Sequence, residues 1–382
     1  MSSGAVPSAG SSAIRLSRNA EQYLAERQQG YLSRSTREED YREMVRLDLG
    51  ENLTDPWDME RLLADADLPA PHHYADPSNA SLKRRISGIH DVSPESVLIG
   101  WSADDLIQFL PQVCIDPGDS TVIPVPTFFR FEQACRLAGA RVIRVGAGEL
   151  RASGTAPCDI EELCRVIRHE APRMVWLCNP VNPTGTVYSE DDIRQIIGAA
   201  AGRSIVVIDE AFMEYHDPWT RRSSSSLTRT QDGVIVLRTI SKAWGLAGIR
   251  LGYAIGSPRL ISRLGAARDT LEMTSAVSAA VATMVLGDEA FLERTARNTA
   301  RGLLQLTTGL AGHPDVEVGP PSACNIFVAR LRSGDLHSQL LRRGVKTASL
   351  DSCAGLEGGR YVRITVGPRE ANEALLEAVR TI

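Results

Sequence analysis

Short apolar runs alternate with amphipathic stretches between about residue 90 and residue 256, a pattern that few folds accommodate. Most of the runs are solid apolar blocks, which is typical of strands covered on both faces. One stretch between them opens with Ser189-Glu190-Asp191-Asp192, a capping-box pattern followed by isoleucines at helical spacing. Alternating strands and helices predict an α/β fold with parallel pairing. The apolar runs cover residues 97–99, 121–123, 142–143, 174–178, 205–208, 234–237 and 253–255.

The two ends of the chain have a different pattern. The first 20 residues are small and polar, and we expect a disordered lead-in there. Strands are predicted at Asn325–Leu331 and Tyr361–Val366, and helices at Glu21–Arg27, Arg37–Arg46 and Pro368–Val379. We therefore expect a lead-in and arm at residues 1–46, a large domain at 47–270 and a smaller α+β domain at 271–382.

Charge and cysteine content exclude several classes of protein. The 42 Lys and Arg against 47 Asp and Glu give a formal net charge of −5. This balance argues against nucleic acid or an acidic membrane as a partner, because phosphate binding needs clustered positive charge. No run approaches the ~18 apolar residues of a membrane span. The seven cysteines form no Cys-x-x-Cys pair, and no metal-ligand spacing is evident. We expect a cytoplasmic protein without a metal or a disulfide framework.

A lysine in a glycine-rich segment follows the apolar run at 234–237. The segment reads Ser241-Lys242-Ala243-Trp244-Gly245-Leu246-Ala247-Gly248-Ile249-Arg250 and lies where α/β sheets hold ligands. This arrangement fits an aldehyde that also carries a phosphate, because Lys242 can condense with the aldehyde while Ser241 and Arg250 hold the phosphate oxygens. Taken alone, the segment is equally compatible with a solvated lysine in a turn.

Two more polar residues follow neighbouring strands. Asn182 lies in the tight polar turn Asn179-Pro180-Val181-Asn182-Pro183-Thr184-Gly185, after the run at 174–178. Asp209 opens Asp209-Glu210-Ala211-Phe212, after the run at 205–208. A carboxylate there can keep a pyridine nitrogen protonated, which makes the ring an electron sink. Singly, Asn182 could be a turn former and Asp209 a helix cap, but the three motifs in this order indicate one site.

Together the motifs resemble those of fold-type I pyridoxal-phosphate enzymes, the class I and II aminotransferases. The likeness is stronger to the histidinol-phosphate aminotransferase branch, which includes threonine-phosphate decarboxylase, and runs from about Leu47 to the C-terminus. It implies a large domain with a mostly parallel seven-stranded sheet and a smaller α+β C-terminal domain. It also implies pyridoxal 5′-phosphate as cofactor, a small-molecule amino donor and a keto-acid acceptor.

The resemblance also implies a role for each matching residue. Lys242 would form the Schiff base with the cofactor and shuttle the proton of the substrate. Asp209 would pair with the pyridine nitrogen, and Asn182 would donate to the ring oxygen. Ser241 and Arg250 would bind the cofactor phosphate.

Four further positions match family motifs. The backbone N–H groups of Ala103 and Asp104, which open a helix, would meet the cofactor phosphate. Phe128 would stack on the ring, and Arg363 would grip the acidic group of the substrate, against the alternative of an exposed strand residue. Tyr74 matches a tyrosine that reaches the phosphate in the neighbouring subunit, which implies a homodimer with a shared active site.

Two features depart from the family pattern. Relatives usually carry Tyr at the position of Phe212, so we expect the linkage between Lys242 and the cofactor to keep its proton to a higher pH. Histidinol-phosphate enzymes also carry an Arg that grips the substrate phosphate shortly before the final strand. The corresponding stretch, residues 347–352 around Leu350, contains no Arg, although Lys346 lies nearby. We therefore expect a substrate other than histidinol phosphate, in a dedicated biosynthetic pathway.

Three activities are compatible with these residues. The first is transamination, with Lys242 moving the proton. The second is decarboxylation, elimination or cyclisation on the same cofactor, because the bond that breaks is set by substrate orientation rather than by the motifs. The third is a catalytically silent regulator, which would predict a lost Lys242 or Asp209. A dinucleotide site is disfavoured because the glycine spacing is not Gly-x-Gly-x-x-Gly.

Overall fold

The computed structural model describes most of the chain, namely residues 16–26, 44–68, 72–146, 157–200, 202–218, 223–268 and 274–382. Residues 1–15 of the predicted lead-in and residues 37–43 of the second predicted helix lie outside the described residues. The first helix begins at Arg18, inside the predicted lead-in. The prediction of helix at Val45–Arg46 is wrong, because these residues form a strand.

The described residues form the following helices and strands, numbered in chain order. The helices are α1 Arg18–Glu26, α2 Met59–Asp65, α3 Ala80–His90, α4 Ala103–Cys114, α5 Arg130–Leu137, α6 Ile160–Glu170, α7 Glu190–Ala200, α8 Met213–His216, α9 Pro258–Ala267, α10 Ala276–Val285, α11 Glu289–Ala311, α12 Leu336–Leu341 and α13 Arg369–Arg380. The strands are β1 Val45–Arg46, β2 Val97–Gly100, β3 Ser120–Val125, β4 Arg141–Gly146, β5 Met174–Cys178, β6 Ile205–Asp209, β7 Val234–Thr239, β8 Gly252–Ile255, β9 Val316–Val318, β10 Ile326–Leu331, β11 Val345–Lys346, β12 Ala348–Ser349 and β13 Val362–Thr365.

Seven strands form the main sheet, in the order β2-β8-β7-β6-β5-β3-β4. Six of them run in the same direction, and β8 alone is reversed, antiparallel to its neighbours β2 and β7. The exception has a topological cause, because β7 and β8 are joined directly by a loop without a crossover helix. The predicted α/β fold with a mostly parallel seven-stranded sheet is confirmed.

Apolar clusters cover both faces of this sheet. Val175, Val206 and Val236 pack on one face with α3, α6 and α7, while the next residues along two of these strands, Trp176 and Val207, pack on the other face with α4, α5 and α9. Each strand therefore buries successive side chains on opposite sides, which explains why the sequence shows solid apolar runs. The Ser189–Asp192 capping box also forms, because the Ser189 and Asp192 side chains each accept from the backbone N–H of the other.

A second sheet lies in the C-terminal part of the chain, in the order β12-β13-β10-β9. It packs with α11, α12 and α13 around a separate apolar cluster. The short strand β1 pairs in parallel with β11, so the chain just before residue 47 joins this part of the molecule. The domain boundaries themselves stay a prediction. No helix in the described ranges is long and apolar enough to cross a membrane.

Candidate active site

The polar residues predicted from the sequence gather at one edge of the main sheet, where β5, β6 and β7 end. Cys178 at the end of β5 is in register with Asp209 at the end of β6. The turn with Asn182 continues from β5, and Ser241 and Lys242 follow β7. The structure therefore brings together the three motifs, because parallel neighbours end at the same edge.

Lys242 lies half-buried among groups that control its proton. Its Nζ donates a hydrogen bond to the backbone oxygen of Leu49 at 2.8 Å and lies 5.3 Å from the centroid of the Phe212 ring. Burial, and then the charge of Arg363, lower the pKa of the amine from 10.5 to about 8, against nearby carboxylates led by Glu51. A lowered pKa keeps part of the amine neutral near physiological pH, as a nucleophile or a base requires.

Asp209 carries a buried carboxylate at the end of β6, and its side chain is 3% exposed. Its Oδ1 accepts a hydrogen bond from the backbone N–H of Ala211 at 3.0 Å. Burial raises the pKa of Asp209 to about 7, although the Ala211 hydrogen bond lowers it. A desolvated carboxylate gains from a cation placed beside it, and a protonated ring nitrogen is such a cation.

The N-terminus of α4 approaches the same edge and packs against β7 and β8. Ala103 and Asp104 form its first turn, and the Ser102 hydroxyl caps it by accepting from the Asp105 N–H at 3.1 Å. Gly252 permits the close approach, because a Cβ there would lie 2.3 Å from the Ala103 nitrogen. Free N–H groups at a helix start favour an anion.

Ser241 and Arg250 differ in how closely they belong to this edge. Ser241 is buried, and its Oγ accepts from the Thr239 hydroxyl at 2.9 Å. Arg250 is exposed, has a φ of 59° and donates to the backbone oxygen of Ala247 at 2.9 Å. The described residues thus place Ser241 inside the site, whereas the Arg250 guanidinium is directed to its own turn.

Arg363 enters from the second sheet. It is 2% exposed, which rules out an exposed strand residue, and its Nη1 donates to Asn182 Oδ1 at 2.7 Å. Its Nη2 donates to the backbone oxygen of Asp48. Arg363 and Asn182 therefore join the two sheets at the same place.

Two aromatic candidates occupy different settings. Phe128 is half-buried after β3 and makes edge-to-face contacts with Phe129 and Phe131, at centroid distances of 5.3 and 5.8 Å. Tyr74 is 78% exposed and makes no hydrogen bond or ring contact in the described part of the chain. The single chain thus does not bring Tyr74 to the other candidate residues.

The segment from Asp48 to Asn52 belongs to the site, although sequence reasoning did not identify it. Its backbone oxygens accept from Lys242, Arg363 and, at Glu51, from Asn325 Nδ2 at 2.8 Å. The Asn52 amide donates to the backbone oxygen of Ala243 at 2.9 Å. Except for the Asn52 side chain, the segment makes these contacts through backbone oxygens, which every residue type carries, so no sequence motif marks them.

A second group missed from the sequence includes Glu210, the residue that follows Asp209. The Arg238 guanidinium is fully buried and pairs with Glu210 at 2.7 Å and with Glu214 at 2.9 Å. Glu210 also accepts from the Ser223 hydroxyl and the Ser224 N–H, both at 2.6 Å. Glu210 belongs to the same motif as Asp209, directly after the apolar run at 205–208. A charged residue so close to a buried strand was the signal that could have indicated a buried ion pair. The group ties β6, β7 and α8 together.

These residues suit an aromatic aldehyde that bears a phosphate and a basic ring nitrogen. Lys242 supplies a nucleophilic amine, and Asp209 supplies a buried carboxylate. The start of α4 and Ser241 supply a site that favours an anion, and α4 can lie this close to β8 because Gly252 has no Cβ. No group of His, Cys, Asp or Glu in the described ranges is arranged to hold a metal ion. The residues present therefore fit pyridoxal 5′-phosphate.

Comparison with known proteins agrees with this chemistry. The family model for aminotransferase class I and II matches residues 42–379, most of the chain. This chain belongs to that family. Among curated relatives, the histidinol-phosphate aminotransferase of Caldanaerobacter subterraneus subsp. tengcongensis is 30% identical over 81% of this chain and 84% of its own length. That of Symbiobacterium thermophilum is 31% identical over 88% and 90%.

Solved structures of an aminotransferase and of a decarboxylase show the same fold. Histidinol-phosphate aminotransferase from Sinorhizobium meliloti, in complex with pyridoxal-5′-phosphate, superimposes with a TM-score of 0.78 at 22% identity over 97% of this chain and 99% of that one. L-threonine-O-3-phosphate decarboxylase from Porphyromonas gingivalis gives 0.72 at 22% identity, over 88% and 99%. As a class I and II aminotransferase, the protein is a pyridoxal-phosphate-dependent transferase. The decarboxylase alternative has less support.

Proposed function

We propose that this aminotransferase holds pyridoxal 5′-phosphate through the ε-amine of Lys242 and uses that amine to move the proton at the Cα of the donor. The observation that carries the proposal is the convergence of Lys242, Asp209 and Arg363 at the junction of the two sheets, with the Lys242 pKa lowered to about 8. When bound, the cofactor supplies an electron-withdrawing ring that stabilises negative charge at the donor Cα.

The other residues bind and orient the cofactor and the donor. Asp209 pairs with the ring nitrogen, Asn182 hydrogen-bonds the ring oxygen, and Phe128 stacks on the ring. Ser241 and the N–H groups of Ala103 and Asp104 hold the phosphate, and Arg250 joins them by turning away from the Ala247 oxygen to which it donates in this structure. Arg363 binds the carboxylate of the donor with its planar fork. The burial of Asp209 supports its role, because a desolvated carboxylate gains from a cation placed beside it. The hydrogen bond from Arg363 to Asn182 supports the role of Arg363, because it holds the guanidinium beside the other candidate residues.

The donor is an amino acid or related amine other than histidinol phosphate. Lys346, the cation nearest to the missing arginine in sequence, is buried and pairs with Asp48 at 3.5 Å. It is therefore neutralised inside the protein instead of facing a substrate phosphate. A keto acid accepts the amino group, in a dedicated biosynthetic pathway.

The enzyme is a cytoplasmic homodimer whose active site is shared between subunits. The exposure of Tyr74 supports this assignment, because an aromatic ring of which 78% meets solvent in one chain is available to a second chain. In the dimer, Tyr74 reaches the phosphate held by the partner subunit.

The test combines a covalent and a product readout. Borohydride treatment of the holoenzyme should fix the cofactor mass to the peptide that contains Lys242, and Lys242→Ala should remove both the label and the turnover. A keto acid should form from the donor in a single turnover. Release of CO₂ in place of keto acid would establish the decarboxylase alternative, and labelling at another lysine would refute the assignment of Lys242.

A further inference from the structure

One segment, residues 49–57, contacts Lys242 and the main chain next to it. The Leu49 oxygen accepts the hydrogen bond of the Lys242 amine at 2.8 Å. The Asn52 side chain donates to the backbone oxygen of Ala243, the next residue along, at 2.9 Å. The segment therefore holds the lysine at both ends, at the amine and at the main chain.

The same segment also contacts the two residues after Ala243. The Trp57 indole N–H donates to the backbone oxygen of Trp244 at 2.6 Å. Gly245 has a φ of 66°, and a Cβ there would lie 3.3 Å from the backbone oxygen of Asp55. The main chain directly after the lysine is therefore packed closely against this segment.

Asp55 ties the segment to α11. Its buried carboxylate accepts from Arg294 Nε at 3.0 Å and from the Asn298 amide at both oxygens, at 3.1 and 3.0 Å. The Thr295 hydroxyl donates to Asp55 at 3.4 Å and lies 3.3 Å from the Asn52 amide, from which it accepts. Asp55 and Thr295 together therefore fix Asn52 against α11.

The helix that Asp55 contacts packs with the second sheet. Leu306 of α11 belongs to the same apolar cluster as Ile364, the neighbour of Arg363 in β13. The Asp55 contacts therefore connect the loop of Lys242 with the part of the molecule that carries Arg363.

We propose that Asp55 is a positioning residue of the active site, which holds the ε-amine of Lys242 in place and keeps water away from it. This inference deepens the proposed function and rests on it, because it takes Lys242 as the reacting amine. Without the Asp55 charge, Arg294 and Asn298 lose a strong acceptor, and residues 49–57 lose their attachment to α11. Water then reaches the Lys242 amine.

The sign of one pKa shift separates positioning from a direct effect of charge. Direct loss of a negative charge lowers the pKa of the Lys242 amine. Entry of water raises it, because burial is the largest cause of the lowered pKa. The two possible roles of Asp55 therefore predict opposite shifts. The other charges that act on this amine stay in place in the test, namely those of Arg363, Glu51, Asp104 and Asp209.

Competitive labelling with acetic anhydride measures this pKa in the full chain freed of cofactor. Mass spectrometry follows the acetylated peptide that contains Lys242 across pH, and the wild-type midpoint should lie near 8. Asp55→Asn keeps the shape of the side chain and removes its charge. It should raise the midpoint by at least about 0.5 pH unit. An unchanged or lower midpoint overturns the inference.

Asp58→Asn is the matched control. Asp58 carries the same charge at the start of α2, where it is exposed and accepts from the Arg61 N–H at 3.1 Å. The variant should leave the midpoint unchanged. An equal rise in both variants would contradict a special role for Asp55.

Asn52→Ala tests the connection without a change of charge. It removes the hydrogen bond to the Ala243 oxygen, so the midpoint should rise again, and this variant decides the proposal if Asp55→Asn does not fold. An unchanged midpoint in Asn52→Ala overturns the inference. Borohydride labelling of the wild-type holoenzyme tests the proposed function separately. Labelling at another lysine refutes that function, whereas labelling at Lys242 without a rise of the midpoint in the variants overturns the inference alone.

Discussion

The proton affinity of Lys242 is set by residues from three separate parts of the chain. Burial and Arg363 lower the pKa of the amine to about 8, while Glu51 raises it. Capture of the cofactor aldehyde needs the neutral amine. Its rate should therefore rise with pH and level off above a midpoint near pH 8.

Variants of the two charged neighbours should move this midpoint in opposite directions. Glu51→Gln removes a charge that favours the protonated amine, so the midpoint should fall. Arg363→Met removes a charge that disfavours it, so the midpoint should rise. Stopped-flow absorbance of the apoenzyme mixed with pyridoxal 5′-phosphate across pH gives both values. Shifts in the same direction would show that the charges do not act on Lys242 as described.

Phe212 gives a second prediction at the level of one atom. Its ring lies 5.3 Å from the Lys242 amine and carries no hydroxyl. Phe212→Tyr adds a hydrogen-bond donor to this ring, so the pKa read from the absorbance of the bound cofactor should fall. Tyr215→Phe is the control: it alters a ring that stacks on Phe212 at 6.5 Å and whose buried hydroxyl has no hydrogen-bond partner among the described residues. It should leave that pKa in place, and a rise in Phe212→Tyr would contradict the argument.

The identities of the site residues were more accessible from the sequence than their environment. Lys242, Asp209 and Asn182 were recognisable because each lies in a polar motif that follows an apolar run. The backbone oxygens of Asp48 and Leu49 were not, because a carbonyl group has no residue signature. The directions of the pKa shifts also needed the structure, since they depend on burial and on charges from distant segments.

At the level of elements, the close contact between α4 and β8 predicts control of the proposed phosphate site. Gly252→Ala would place a Cβ 2.3 Å from the Ala103 nitrogen and 2.4 Å from the Ser102 carbonyl carbon, so the helix must move. We expect the affinity for pyridoxal 5′-phosphate to fall by about 10-fold or more, which fluorescence titration measures.

Gly88→Ala provides the control for this substitution. Gly88 lies in α3, and a Cβ there would meet nothing within 4 Å. The variant should bind the cofactor normally and gain about 0.5–1 kcal/mol of stability from the better helix propensity of Ala. Unchanged cofactor affinity in Gly252→Ala would show that the position of α4 does not determine phosphate binding.

The buried group formed by Arg238, Glu210 and Glu214 leads to a prediction about stability. Arg238→Met leaves the carboxylates of Glu210 and Glu214 buried without their cation, which should cost about 3–5 kcal/mol in the free energy of unfolding. Arg194→Met is the control, because Arg194 pairs with Glu190 on the exposed surface of α7 and should cost less than about 1 kcal/mol. Denaturant unfolding compares the two variants, and similar losses would contradict a special role for Arg238.

The direction and pairing of the strands were less predictable from the sequence than their positions. Every apolar run became a strand, yet the antiparallel direction of β8 could not be obtained from periodicity, which is the same in both directions. The short strand β1 was mistaken for part of a helix because charged residues surround it. Its pairing with β11 depends on residues about 300 positions away in the chain, and local pattern cannot report such contacts.

At the scale of the whole molecule, the proposed shared site predicts complementation between inactive subunits. Each site takes Lys242 from one subunit and Tyr74 from the other. A hybrid dimer of one Tyr74→Ala subunit and one Lys242→Ala subunit therefore has one site with both substitutions and one intact site. Random mixing should restore about a quarter of wild-type activity. Lys242→Ala mixed with Asp209→Asn should restore none, because both residues belong to one chain's contribution. Recovery in both mixtures, or in neither, would contradict the shared site.

The segment that follows β1 links the far ends of the chain to the reacting centre. β1 itself pairs with β11, the Leu47 oxygen then accepts a hydrogen bond from the Thr365 N–H, and the next backbone oxygens accept from Arg363 and Lys242. A displacement of this segment therefore moves the Leu49 oxygen that accepts from the Lys242 amine, and no other side chain lies between them. Proteolysis that removes the chain up to residue 45 would disrupt the pairing of β1 with β11. We expect it to loosen the Leu49 oxygen that holds the Lys242 amine, although the cut lies outside every motif.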